Sequence, residues 1–209
     1  MSTETELKLS LPAHDVPSLL AHPLLATPPK VQWLRNTYFD TPNLALKAAR
    51  MAVRERLAGD QWLLTVKTAG QSAHGVSRRQ EWEGPTTPGA LDFAALVTDS
   101  TLAAQLMALR AELQPLFRTD FERHSWVVSH AGASIEVALD QGHITVPGTD
   151  LSEAILELEL ELLSGPDTAL HALADALRHT PSGAIALTPS DVSKAQRGLA
   201  LYQSRLGKE

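Results

Sequence analysis

Charged and uncharged positions alternate one by one through Glu4-Thr5-Glu6-Leu7-Lys8-Leu9, the uncharged ones turning apolar at Leu7 and Leu9. In a strand, residues two apart share a face, so Glu4, Glu6 and Lys8 line up on one side, with Leu7 and Leu9 on the other. The same period returns at Glu157-Leu158-Glu159-Leu160-Glu161-Leu162, where three carboxylates share a face. Read in this way, the chain predicts strands over residues 3–10, 31–40, 48–57, 61–68, 76–82, 116–129, 134–139, 143–146 and 155–163. Turn signals stand at Thr41-Pro42-Asn43, Ala58-Gly59-Asp60, His130-Ala131-Gly132 and Gln141-Gly142. Apolar residues at helical spacing run from Asp15 to Leu25, cut short by Pro17 and Pro23, then from Ala90 to Val97 and from Thr101 to Leu113, with Ser100 as a cap. Two more helices are expected, from Pro166 to His179 and from Pro189 to about Leu206, the second capped by Thr188. Strands that cluster as hairpins predict an α+β domain with a largely antiparallel sheet.

Charge sits on single faces of these strands. Arg54 and Arg56 flank Glu55; Thr65 and Lys67 oppose Leu64 and Val66; Arg79 and Glu81 share a face, as do Arg123 and Ser125, and Glu136 and Asp140. The ordinary reading of any one such row is a solvated sheet face. Taken together the rows point elsewhere, because carboxylates gather in two strands and cations in others. Closed into a barrel with the charges inside, they form an acidic side and a basic side. Charges buried in this way need a compensating ligand. Carboxylate oxygens suit Mg²⁺ or Mn²⁺, and Arg and Lys suit phosphate oxygens. A metal-bound polyphosphate satisfies both.

Composition narrows the choice. The 209 residues are 44% hydrophobic and 20% charged, enough for one domain with a real core. A net charge of −6 argues against nucleic-acid binding by a basic surface. There are no cysteines, which excludes disulfides, thiolate metal sites and a Cys nucleophile. The eight histidines show no metal-ligand spacing. The polar start Met1-Ser2-Thr3-Glu4 and the lack of a long apolar run predict a cytoplasmic protein with no membrane span. Trp33, Trp62, Trp82 and Trp126 fall on strands and read as outward core beneath helices.

Glu4-Thr5-Glu6-Leu7-Lys8 resembles the ExExK signature of CYTH domains, the triphosphate tunnel metalloenzymes. It is followed in order by Tyr38-Phe39-Asp40-Thr41-Pro42, Arg54-Glu55-Arg56, Thr65-Val66-Lys67, Arg79-Gln80-Glu81, Arg123, the strand ending Asp140-Gln141-Gly142, Glu157-Leu158-Glu159, and Ser193-Lys194-Ala195. The resemblance covers essentially the whole chain, 1–209, as a single CYTH unit. It is nearest to bacterial inorganic triphosphatases, through stretches such as Gln114-Pro115-Leu116-Phe117 and Ile135 to Gly142. Those proteins often carry a CHAD domain, which would here lie outside the chain as a possible partner.

The resemblance implies a closed antiparallel barrel of eight strands, a triphosphate tunnel, flanked by helices. It implies Mg²⁺ or Mn²⁺ as cofactor, held by Glu4, Glu6, Glu157 and Glu159. Asp140 would help hold a second metal or orient water, and Glu161 shares the acidic face nearer a tunnel mouth. Lys8, Arg54, Arg56, Lys67, Arg79 and Arg123 match phosphate-contacting positions, with Lys8 and Arg56 assigned to the reacting phosphoryl group. Lys194, and Arg197 three residues on, would close the tunnel from the last helix. Tyr38 reads as a strand residue beside the site. The implied activity is hydrolysis of inorganic triphosphate to diphosphate and phosphate. The alternatives are a thiamine triphosphatase or CYTH-type adenylyl cyclase on the same tunnel, and a polyphosphate-binding module without turnover.

Overall fold

The computed structural model describes residues 2–180 and 183–206. Met1, Pro181, Ser182 and residues 207–209, which the expected span 1–209 includes, lie outside the described residues. The chain forms a closed antiparallel barrel of eight strands with six α-helices among the described residues. The barrel strands are β1 (Ser2–Ser10), β2 (Lys30–Asp40), β3 (Ala52–Ala58), β4 (Gln61–Lys67), β6 (Val76–Pro85), β7 (Gln114–His130), β8 (Ala133–Thr145) and β9 (Ser152–Ser164). Around the wall they run β1-β9-β8-β7-β2-β3-β4-β6, and β6 pairs with β1 to close the ring. Two short strands extend the sheet: β5 (Gln71–Ala73) on β6, and β12 (Thr188–Pro189) on β1. A separate pair joins β10 (His179–Thr180) and β11 (Gly183–Ala184).

The two-residue period decides what each wall does. On β1, β8 and β9 the outward residues Leu7, Leu9, Ile135, Val137, Leu139, Leu158 and Leu160 form one core. Over them lie α1 (Val16–Leu20) and α5 (Thr168–Leu177), the latter through Leu170, Leu173 and Leu177. On β3, β4 and β6 the outward Val53, Leu64, Val66 and Trp82 meet α2 (Ala45–Ala48), α3 (Phe93–Leu96) and α4 (Ser100–Leu109) through Leu46, Phe93 and Leu106. The last helix, α6 (Lys194–Leu206), instead packs on a cluster of Leu34, Phe117, Phe121, Ile144 and Ile155, through Ala195, Leu199 and Tyr202. Part of the barrel interior is therefore apolar, beside the acidic and basic sides that the patterning predicted.

Other expectations are corrected. Gln141-Gly142 is not a turn, since β8 runs unbroken through it. A Cβ at Gly142 would collide with the Asp120 carbonyl and Phe121 Cα of β7, so the glycine marks close strand approach rather than reversal. The helix expected from Pro189 begins at Lys194, because Thr188 and Pro189 pair with Ser10 and Leu9. Asp99, not Ser100, caps α4 by accepting from the Leu102 N–H. Residues 48–51 precede β3 rather than belonging to it. Trp82 and Trp126 are buried as expected, but Trp33 on β2 is 48% exposed. None of the described helices is long and apolar enough to cross a membrane.

Candidate functional site

Strand register sets the carboxylates of three neighbouring strands side by side. Glu6 of β1 lies opposite Glu161 of β9, and Glu161 opposite Glu136 of β8. One step along, Lys8 faces Glu159; one step further, Glu157 faces Asp140, which in turn faces Arg123 of β7. The remaining cations come from the rest of the ring: Arg54 and Arg56 on β3, Lys67 on β4, and Arg79 on β6, directly opposite Glu4 of β1. All expected site residues line one interior cavity of about 670 Å³ except Arg197 and the buried Asp140 and Glu157.

Two ion-paired groups occupy this space. In the first, Lys67 Nζ lies 2.9 Å from Glu4 and 3.0 Å from Glu81. Arg79 binds Glu4 at 2.9 Å and Glu6 at 2.8 Å, and Lys8 reaches Glu6 at 3.0 Å. Burial opposes ionising Glu4, but Lys67 and Arg79 outweigh it and hold the carboxyl at about 2. In the second, Arg123 grips Asp140 with two bonds of 2.7 Å and Glu159 with one of 2.5 Å. Lys194 Nζ stands 2.6 Å from Asp140 and 3.0 Å from Glu159, and also bonds Glu157. Arg197 fastens α6 to β9 through Glu153 at 2.6 Å and Glu157 at 3.2 Å. One oxygen each of Asp140, Glu157 and Glu159 lie within 4.8 Å of one another, a spacing that can hold a metal ion.

Two groups remain poorly compensated. Arg56 has Glu83 no nearer than 3.8 Å; burial, then the like charges of Arg54 and Arg123, bring its guanidinium down to about 10. Glu161 is pushed up to about 7 by burial and by Glu4 and Glu136, against a weaker pull from Lys67. Tyr38 sits with its hydroxyl 3.4 Å from Arg54, and despite burial the cations Arg54, Arg56 and Lys67 hold it below the usual phenol range. Sequence reasoning placed Tyr38 only beside the site and left Glu81, Glu83 and Glu136 without a role. The signal was present: Glu81 and Glu83 share the parity of Arg79, and Glu136 that of Asp140. Asp40, in the Tyr38-to-Pro42 motif, serves the fold by accepting from the Thr41, Leu46 and Lys47 N–H groups around α2.

A second chamber of about 520 Å³ shares Lys8, Tyr38, Lys67 and Arg79 with the first. Met51, Leu116, Phe117 and Leu199 give it apolar walls, with Lys47 and Arg50 also in the lining.

The model of the CYTH domain family matches residues 2–198. The chain belongs to that family. Its CYTH unit is 32% identical over 208 residues to the inorganic triphosphatase of Haemophilus influenzae, covering 96% of this chain and 55% of that protein. The chain thus spans about half the length of this curated relative. Among solved structures, a Hippeastrum protein described as a putative adenylyl cyclase with a dominant triphosphatase activity superposes with a TM-score of 0.66. Identity is 22%, over 97% of this chain and 96% of that one. A putative adenylate cyclase of Bacillus halodurans gives a TM-score of 0.60 at 18% identity, over 94% and 98%. At these identities the two structures establish the CYTH barrel fold.

Proposed function

We propose that this CYTH unit hydrolyses inorganic triphosphate to diphosphate and phosphate with Mg²⁺ or Mn²⁺. The observation that carries the reading is one cavity lined both by a row of carboxylates on the adjacent strands β1, β8 and β9 and by the Arg and Lys side chains of β3, β4, β6 and β7. The likeness to the Haemophilus influenzae triphosphatase over nearly the whole chain supports it. We treat residues 1–209 as one unit, with any CHAD domain outside it.

The donor set fits a hard divalent cation. Asp140, Glu157 and Glu159 offer only carboxylate oxygens, and the Lys194 ammonium among them is a cation already in place. These three, with Glu4, Glu6 and Glu161 on the same side, would hold the metal. Bound there, it would neutralise charge on phosphate oxygens. The chain's own residues supply the rest. Arg54, Arg56, Lys67, Arg79, Arg123 and Lys8 line the wall where a row of phosphates would lie and fix its orientation. Arg56, short of anionic partners, is suited to the charge that grows on the phosphoryl group as its bond loosens. Asp140 is suited to orient the attacking water, and Lys194 and Arg197 to close the tunnel.

The apolar second chamber supports another reading, an organic triphosphate whose substituent lies against Met51 and Phe117. Phosphate release from triphosphate, thiamine triphosphate, ATP and long-chain polyphosphate, with each metal, separates the two. We expect triphosphate to have the highest kcat/KM, and Glu159→Gln to abolish turnover with the fold intact. Preference for an organic triphosphate would move the assignment to the second reading. Binding without release from any substrate would make the barrel a polyphosphate-binding module.

A further inference from the structure

Lys194 is the first residue of α6, yet its ammonium is buried between β8 and β9. Its three partners have few other oxygens to give. Arg123 takes both oxygens of Asp140 and Oε2 of Glu159. Arg197 takes Oε2 of Glu157. The oxygens turned toward one another are Asp140 Oδ2, Glu157 Oε1 and Glu159 Oε1, and Lys194 Nζ contacts all three. A divalent cation bound by this trio would have to use the same oxygens, at about 2.1 Å for Mg²⁺. An ammonium and a divalent ion sharing three oxygens would repel strongly at that range in a water-poor interior.

Lys194 has somewhere to go. It lines the 670 Å³ cavity, and its Nζ stands 5.0 Å from the centre of the Phe121 ring, on the cavity wall. The helix behind it keeps a second anchor, because Arg197 also holds Glu153 and the Ala154 carbonyl. The side chain can therefore leave the carboxylates without undocking α6.

We propose that Lys194 and the divalent cation are alternative occupants of the three oxygens, so that metal binding expels the ammonium into the tunnel, where it becomes a contact for the polyphosphate. The inference rests on the metal reading above and adds an order to it: metal first, then substrate onto the released lysine. Burial disfavours a charged Lys194, yet Asp140, Glu159 and Glu157 hold its ammonium more basic than an ordinary lysine, so the metal displaces a charged group.

Lysine-specific acylation of the full chain, read by mass spectrometry at fixed pH, tests this directly. Mn²⁺ binding is followed in parallel by titration calorimetry. Without metal, Lys194 should react slowly. At saturating Mn²⁺ its rate should rise about tenfold or more, the size of an ordinary coupling between linked sites, while Lys47, exposed and outside the 670 Å³ cavity, is unchanged. Adding triphosphate should slow Lys194 again. In calorimetry, Lys194→Met should bind Mn²⁺ about tenfold more tightly than wild type, since a competitor is gone. Mn²⁺ that binds but leaves Lys194 labelling unchanged would overturn the exchange and leave the metal reading standing. No Mn²⁺ binding at all would overturn both.

Discussion

Arg56 concentrates the electrostatic argument at a single residue. Its neighbours Arg54 and Arg123 repel it, and Asn36 accepts its Nε–H at 2.8 Å without offsetting the charge. A phosphoryl group gaining charge beside it relieves that imbalance, so the interaction strengthens toward the transition state. Arg56→Ala should lower kcat by about 10²-fold or more in steady-state assays with triphosphate, with a smaller change in KM. An unchanged kcat would remove Arg56 from the reacting phosphate. Glu161 gives the opposite case, a carboxyl whose neighbouring carboxylates outweigh the pull of Lys67. Its folded value of about 7 lies above the ordinary 4.5, so the folded state binds the proton more tightly than the unfolded chain does. Its contribution to stability is full below about 4.5 and is lost as pH rises through about 7. After allowing for screening at its partly exposed position, the loss is on the order of 2 kcal/mol. In EDTA the melting temperature should fall between pH 5 and pH 8, and Glu161→Gln should raise it at pH 8. Identical melting of variant and wild type at pH 8 would contradict the assignment.

Among the elements, α6 joins the fold to the site. It lies so close to β7 that a Cβ at Gly198 would run into the Phe117 ring. Alanine favours a helix over glycine by about 1 kcal/mol, while overpacking of this kind costs about 1–3 kcal/mol. Gly198→Ala should therefore lower the melting temperature and raise KM for triphosphate; a stabilised variant would show that α6 does not seat as described. The barrel strands were legible because alternation with a period of two specifies which side chains share a face. Glu4, Glu6, Lys8 and the Glu157-to-Glu161 row could be grouped on that basis before any strand was paired. What alternation cannot convey is which rows become neighbours. The sequence shows no cation beside Glu4, yet Lys67 and Arg79 reach it from β4 and β6. The start of α6 was misread because Thr188 and Pro189 look like a cap and first turn locally, whereas β1 captures them as an edge pair. Gly142 misled in the same manner: turn and close approach use the same residue, and partner strands decide between them.

The whole molecule is a barrel whose outer faces bury its two largest apolar cores under helices, leaving the rest of the interior, beyond the cluster under α6, to charged side chains. Metal and triphosphate together should replace internal ion pairs and bind the folded state alone. At a hundredfold excess over Kd this adds about 2.7 kcal/mol, or roughly 5–10 °C in melting temperature for a chain of this size. Triphosphate with Mn²⁺ should raise the melting temperature more than diphosphate does, and sulfate at matched ionic strength should not reproduce the effect. The most direct measurement is phosphate release from inorganic triphosphate by the purified chain, with Mg²⁺ or Mn²⁺ and again after EDTA. The account predicts release of one phosphate and one diphosphate per triphosphate with metal, and none after chelation. Turnover that persists in EDTA, or none with either metal, would contradict it.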